Sequence, residues 1–141
     1  MPSVSDEISI NGPPEAVFAA LADPEVQVDY DRDLRSVEKL TEGPIGKGTR
    51  FRGDFKGLGK VEYEYAEFEP HRLIEHAVKW PVGAVRHRFG FQRSGDGTRL
   101  AQTITLRPNP LGRLLWPLLL KRLVSRRLRT VNRLVKAYVE D

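Results

Sequence analysis

His76 and His87 are the residues of this 141-residue chain best suited to chemistry. Each sits in a segment of alternating side chains, and each falls on the apolar side of the alternation. Ile74, His76, Val78 and Trp80 share one face, and Val85, His87, Phe89 and Phe91 share the next. An imidazole in apolar surroundings can orient a ligand or move a proton near neutral pH. Tyr65 and Gln102 hold equivalent positions, Tyr65 beside Val61 and Tyr63, Gln102 beside Leu100, Ile104 and Leu106. These four polar residues form a candidate cluster with three readings. It is a buried, satisfied hydrogen-bond network, or a set of groups that orient a ligand in an apolar pocket, or a catalytic set. In the catalytic set His76 or His87 is the general acid or base and Tyr65 stabilises an enolate.

Other chemistries are weaker. Two histidines on adjacent strands supply half a zinc site, and there is no third ligand unless Glu67, which the alternation also turns inward, can reach. No metal and no cofactor are therefore expected. The absence of cysteine excludes disulfides, thiolate metal sites and a cysteine nucleophile. Asp29, Asp31 and Asp33 have the spacing of a calcium loop, but Leu34 and Leu40 stand where that loop needs glycine and glutamate. The glycines around Lys47 lack phosphate-loop spacing, with Gly48 in place of Ser or Thr. No serine lies in a Gly-x-Ser-x-Gly elbow.

The elements that must position the cluster follow from periodicity and turn chemistry. Residues 4–10 read as a strand, Pro13-Pro14 opens a helix, and Asp23-Pro24-Glu25 caps a second, short one. Strands are expected at 35–41, 49–56, 60–69, 72–80, 84–92 and 98–107, joined by turns rich in Gly, Pro and Asp. Turns this short make consecutive antiparallel hairpins. A two-residue Pro81-Val82 loop pairs His76 with His87. A two-residue Pro70-His71 loop pairs Tyr65 with His76. A three-residue Gly57–Gly59 loop pairs Phe51 with Tyr65, and the Ser94–Gly97 loop sets His87 against Ile104 and Gln102 against Phe89. A slip of one residue would bury the charged faces, whereas a slip of two would preserve them. The apolar side chains on the same face are Phe51, Tyr63, Phe89 and Ile104.

Residues 111–139 return to helical spacing, with Trp116, Leu119, Leu120, Leu123, Val124, Leu128, Val131, Leu134, Val135 and Tyr138 on one face. Asn132 falls with the charged residues on the other. Leu123, Leu128, Val131 and Val135 are expected to pack on the sheet, and Pro117 to lie in the first turn or mark a kink. Arg127 falls inside the apolar arc. A buried charge needs a partner, so Arg127 reaches the cavity rim, pairs with Glu67, or meets an anionic group of a ligand.

Strand, two short helices, six strands and a long helix describe an α+β fold with helices on one face of an antiparallel sheet. In addition, PPEAVFAALADPE, EGPIGKGTRFR, YAEFEPHRLIE, GDGTRLAQTITL and NRLVKAYVE resemble the polyketide cyclase/dehydrase-like branch of the START and birch-pollen-allergen superfamily, nearly end to end. The resemblance implies a single helix-grip domain over residues 1–141. Its curved seven-stranded sheet would grip the C-terminal helix, with a cavity between them for a lipid, polyketide or other apolar molecule. Some members of that superfamily catalyse cyclisation or aromatisation. The shared motifs are structural turns, so they bear on fold rather than on activity.

Charge completes the reading. Residues 1–110 carry 15 basic and 17 acidic groups, and residues 111–141 carry 8 and 2. This is read as the solvated face of an amphipathic helix rather than a nucleic-acid site. The run LLWPLLL beside Lys121-Arg122 resembles an interfacial anchor, and a membrane-surface module ranks behind both the binding and the enzyme readings. The N-terminus lacks the basic start and apolar stretch of a signal peptide, which gives a cytoplasmic expectation. The expected ligand-binding set is Phe51, Tyr63, Tyr65, His76, His87, Phe89, Gln102, Ile104 and Arg127, for a small apolar or amphiphilic partner.

Overall fold

The computed structural model describes residues 2–141. Strand β1 (Ser3–Ile10) is followed by α1 (Pro14–Ala22) and α2 (Pro24–Tyr30). Next come β2 (Leu34–Lys39), β3 (Arg50–Phe55), β4 (Gly59–Glu69), β5 (Leu73–Trp80), β6 (Gly83–Ser94) and β7 (Gly97–Pro108). The chain ends in α3 (Pro110–Leu115), a π-helical turn (Trp116–Leu120) and α4 (Lys121–Glu140). The sheet is antiparallel, in the order β1-β7-β6-β5-β4-β3-β2. Asp23 caps α2, its carboxylate accepting from the Glu25 amide at 3.0 Å. Asn109 caps α3 through the Gly112 amide and donates to the Pro81 carbonyl, which ties the start of that helix to the β5–β6 turn. Gly112 is required there, because a Cβ would lie 2.1 Å from the Val82 carbonyl oxygen.

The registers of β5–β6 and β6–β7 follow the tight turns: His76 pairs with His87, His87 with Ile104, and Phe89 with Gln102. Two other expectations are corrected. Phe51 pairs with Tyr63 instead of Tyr65, a slip of two residues. The loop there is Lys56-Gly57-Leu58, with Gly59 closing the ladder against Phe55; positive φ at Gly57 and Gly59 permits it. In β4, Tyr65 pairs with His76, but a bulge at Ala66 then shifts the register. Glu67 moves to the convex face, 3.6 Å from Lys47, and Phe68 turns in to meet Phe18 and Tyr65. The bulge compensates for a β4–β5 loop one residue longer than expected, with His71 in its middle at φ 64.

The long helix also departs from one regular wheel. Pro117 has no N–H to bond back to Arg113, and the helix widens there into the π turn. Beyond it Val124, Leu128, Val131, Asn132 and Val135 are buried. Leu123 is 48% exposed and does not pack on the sheet as expected. Asn132 is fully buried, not solvated. Burial thus runs along 124, 128, 131/132 and 135, rotated away from Leu123. Leu128→Ala is accordingly expected to cost about 2–5 kcal/mol, whereas Leu123→Ala should change stability by about 0.5 kcal/mol or less. Urea unfolding of the two variants checks the assignment.

Candidate functional site

A cavity of about 430 Å³ opens between the concave face of the sheet and α4. The sheet contributes Tyr63, His76, Val78, Trp80, His87 and Phe89 to its wall, the π turn contributes Leu120, and α4 contributes Leu123, Val124 and Arg127. Most of this wall is apolar, as ligand cavities usually are. Of the residues expected at such a site, Tyr63, His76, His87, Phe89, Ile104 and Arg127 line it. Phe51, Tyr65 and Gln102 do not; they are buried outside the cavity wall.

Tyr65 is displaced by its own hydroxyl. The Tyr65 O–H donates to the Ala22 carbonyl at 2.8 Å, at the end of α1. Its ring stacks flat on His76, 5.0 Å between centroids. The hydroxyl therefore holds α1 against the sheet and cannot meet an enolate in the cavity.

Gln102 acts behind His87. Its amide nitrogen donates to the Leu128 carbonyl (3.3 Å) and to Asn132 Oδ1 (2.6 Å), and Asn132 Nδ2 donates to Asp6 Oδ2 (2.8 Å). Both hydrogens of the Gln102 amide are used, so its Oε1 must accept from His87 Nε2 at 2.8 Å. The chain of bonds fixes the tautomer of His87: the proton is on Nε2, and Nδ1 of the neutral ring is an acceptor. Burial is the main cause holding His87 neutral, pushing its pKa down to about 4; the Gln102 bond opposes this and the Arg127 charge adds to it. His76 is also pushed well below the usual histidine range, by burial first and by the neighbouring His87 second. His76 Nε2 is buried and, among the described residues, has no hydrogen-bond partner.

Arg127 reaches the rim and solves its charge with an unexpected partner. Its two terminal nitrogens grip Asp31 at 2.6 and 3.1 Å, and Nη1 also lies 3.4 Å from Asp33. Asp31 is nearly fully buried and accepts as well from Gln27 and the Asp33 amide. Burial alone would raise the Asp31 pKa, but the Arg127 bonds and charge, with Gln27 and Asp33, outweigh it and bring it below the ordinary value. Glu67, the partner suggested by alternation, lies on the opposite face. Asn132, Asp6 and Asp31 were all missed in the sequence. Asn132 had one readable sign, its i+4 and i−3 spacing to Leu128 and Val135.

The chain matches, over residues 1–140, the family described as polyketide cyclase / dehydrase and lipid transport. It belongs to that family. No curated protein matches it. Solved structures share its fold at low identity. A START superfamily protein from Mycobacterium smegmatis superposes with a TM-score of 0.80 at 16% identity, covering 98% of this chain and 97% of that one. The protein TTHA0849 from Thermus thermophilus gives 0.77 at 23%, covering 98% and 97%. BexL, a di-domain ARO/CYC protein from the BE-7585A biosynthetic pathway, gives 0.77 at 17%, over 99% of this chain and 49% of BexL. As a member of this family the chain carries the helix-grip fold that these neighbours share. Among the described residues no helix is long and apolar enough to cross a membrane.

Two measurements test this geometry. His87 binds a proton near 6.5 when unfolded and near 4 when folded, and His76 shifts the same way. The unfolded chain then holds more protons between those values, so stability is full above pH 6.5 and falls as pH drops toward 4. Urea unfolding at pH 7, 5.5 and 4.5 should show that decline, and His76→Phe should flatten it. Arg127→Leu strands Asp31 in the core and is expected to cost about 3–5 kcal/mol. Adding Asp31→Asn should recover part of that loss.

Proposed function

We infer that this family member binds a small, neutral, largely apolar molecule bearing a hydrogen-bond donor such as a phenol or enol hydroxyl. The observation that carries the reading is an apolar cavity of about 430 Å³ whose wall includes two neutral imidazoles. One of them, His87, has its Nε2 proton committed to Gln102, so only its Nδ1 lone pair is left for a ligand. A neutral ligand is favoured beside the histidines because the charge of Arg127 is already met by Asp31 and Asp33. Phe89 and Tyr63 supply aromatic surface beside the histidines, which favours a planar guest.

A second reading is supported by one observation. The buried Nε2 of His76 lacks a partner among the described residues, and an imidazole that burial holds neutral is competent as a general base. A cyclase or dehydratase of the family's kind would use it, with His87 as the oriented partner and without Tyr65.

Fluorescence titration with 2-naphthol and its methyl ether tests the first reading. Naphthol should bind about fivefold tighter, the worth of one net hydrogen bond. His87→Phe should abolish the difference, and equal binding of both probes to the wild type would refute the role of His87. On a substrate found by screening, His76→Phe that loses turnover but keeps binding would establish catalysis.

A further inference from the structure

The outward face of the segment from α3 into α4 carries leucines with nothing over them. Leu114 and Leu118 are 61% and 69% exposed, and Leu111, Leu119 and Leu123 are each about half exposed. No residue of the π turn is buried. The patch borders the cavity mouth. Lys56, Leu58, Leu123 and Arg126 both line the cavity and are exposed, and the half-exposed carboxylate of Asp33, held by Arg127, is in the lining as well.

The charge carried by the segment itself is one-signed. Residues 110–139 contain eight Lys and Arg and no Asp or Glu. Arg127 and Lys136 are paired with Asp31 and Glu140. Among the described residues, Arg113, Lys121, Arg122 and Arg126 meet no carboxylate within salt-bridge distance. Four arginines of the strands, Arg50, Arg52, Arg86 and Arg88, by contrast each reach a glutamate. Unpaired cations interleaved with exposed leucines complement an anionic bilayer, where the leucines enter the headgroup boundary and the cations meet lipid charge. Nucleic acid would reward the cations but not the leucines. A second copy of the chain would bring these same cations against one another.

We propose that this face docks on an anionic lipid surface, with the leucines of residues 111–123 inserted and the cavity mouth beside the bilayer. The proposal goes beyond the ligand assigned above and does not depend on it. The test uses ligand-free protein and sedimentation with phosphatidylcholine vesicles, with and without 30 mol% phosphatidylglycerol. Binding to the anionic vesicles and little to the neutral ones is expected, weakening as salt rises. Lys121→Ala and Arg122→Ala should each reduce binding about fivefold. Leu114→Ser with Leu118→Ser should reduce it by more than about tenfold, with an unchanged Tm because both side chains are exposed. Wild-type protein that ignores anionic vesicles overturns the proposal. So does binding that survives the double leucine substitution, which would leave only loose electrostatic adsorption. A dimer in solution that the leucine substitutions dissociate, without vesicle binding, overturns it as well and assigns the face to self-association.

Discussion

The buried amide of Gln102 is the interaction on which the arrangement between sheet and helix depends. It sits fully buried in β7, where an unsatisfied amide would cost about 1–3 kcal/mol for each unpaired group. Satisfying it takes two partners from α4, the Leu128 carbonyl and the Asn132 side chain, and one from β6, His87. Those partners exist only at one rotation and one height of the helix. Leu128, Val131 and Val135 then fall into the core, while Leu123 is left at the cavity mouth. The apolar contacts hold α4 to the sheet; the amide selects one of the placements that such non-directional contacts would tolerate.

A second anchor works from the other side. The Arg127–Asp31 pair joins α4 to the end of α2, across a sequence separation that no hairpin spans. Together with the Tyr65 bond to Ala22, it fixes the short helices relative to the sheet. The cavity is the space left between these polar anchors.

Much of this was legible because β-alternation and two tight turns leave little freedom. Trp80 against Gly83 and Ser94 against Gly97 set the registers that bring His76, His87, Ile104 and Gln102 together. The bulge at Ala66 was hidden by the assumption of strict alternation, although Glu67 inside and Phe68 outside was already an improbable pattern for a strand over a core. Arg127 was visible as a misfit on the helical wheel. Its partner was not, because Asp31 lies in a run of alternating acids that reads as a loop. Periodicity reports which face a residue shares, and says nothing about how far a long side chain reaches. The orientation of Gln102 away from the cavity was hidden for the same reason: its polar partners come from the helix.

The break in register between Leu34 and Ser36 has a consequence for behaviour at high concentration. The sheet is open, so β1 and β2 each have one unpaired edge, and such edges invite another chain to add a strand. Along β2 the ladder is short and irregular, and Arg35, Glu38 and Lys39 stand exposed on it. A strand laid against it would find few evenly spaced donors and acceptors and would bring its own side chains against fixed charges. The irregularity that costs β2 a regular pair with β3 therefore also guards that edge against strand addition.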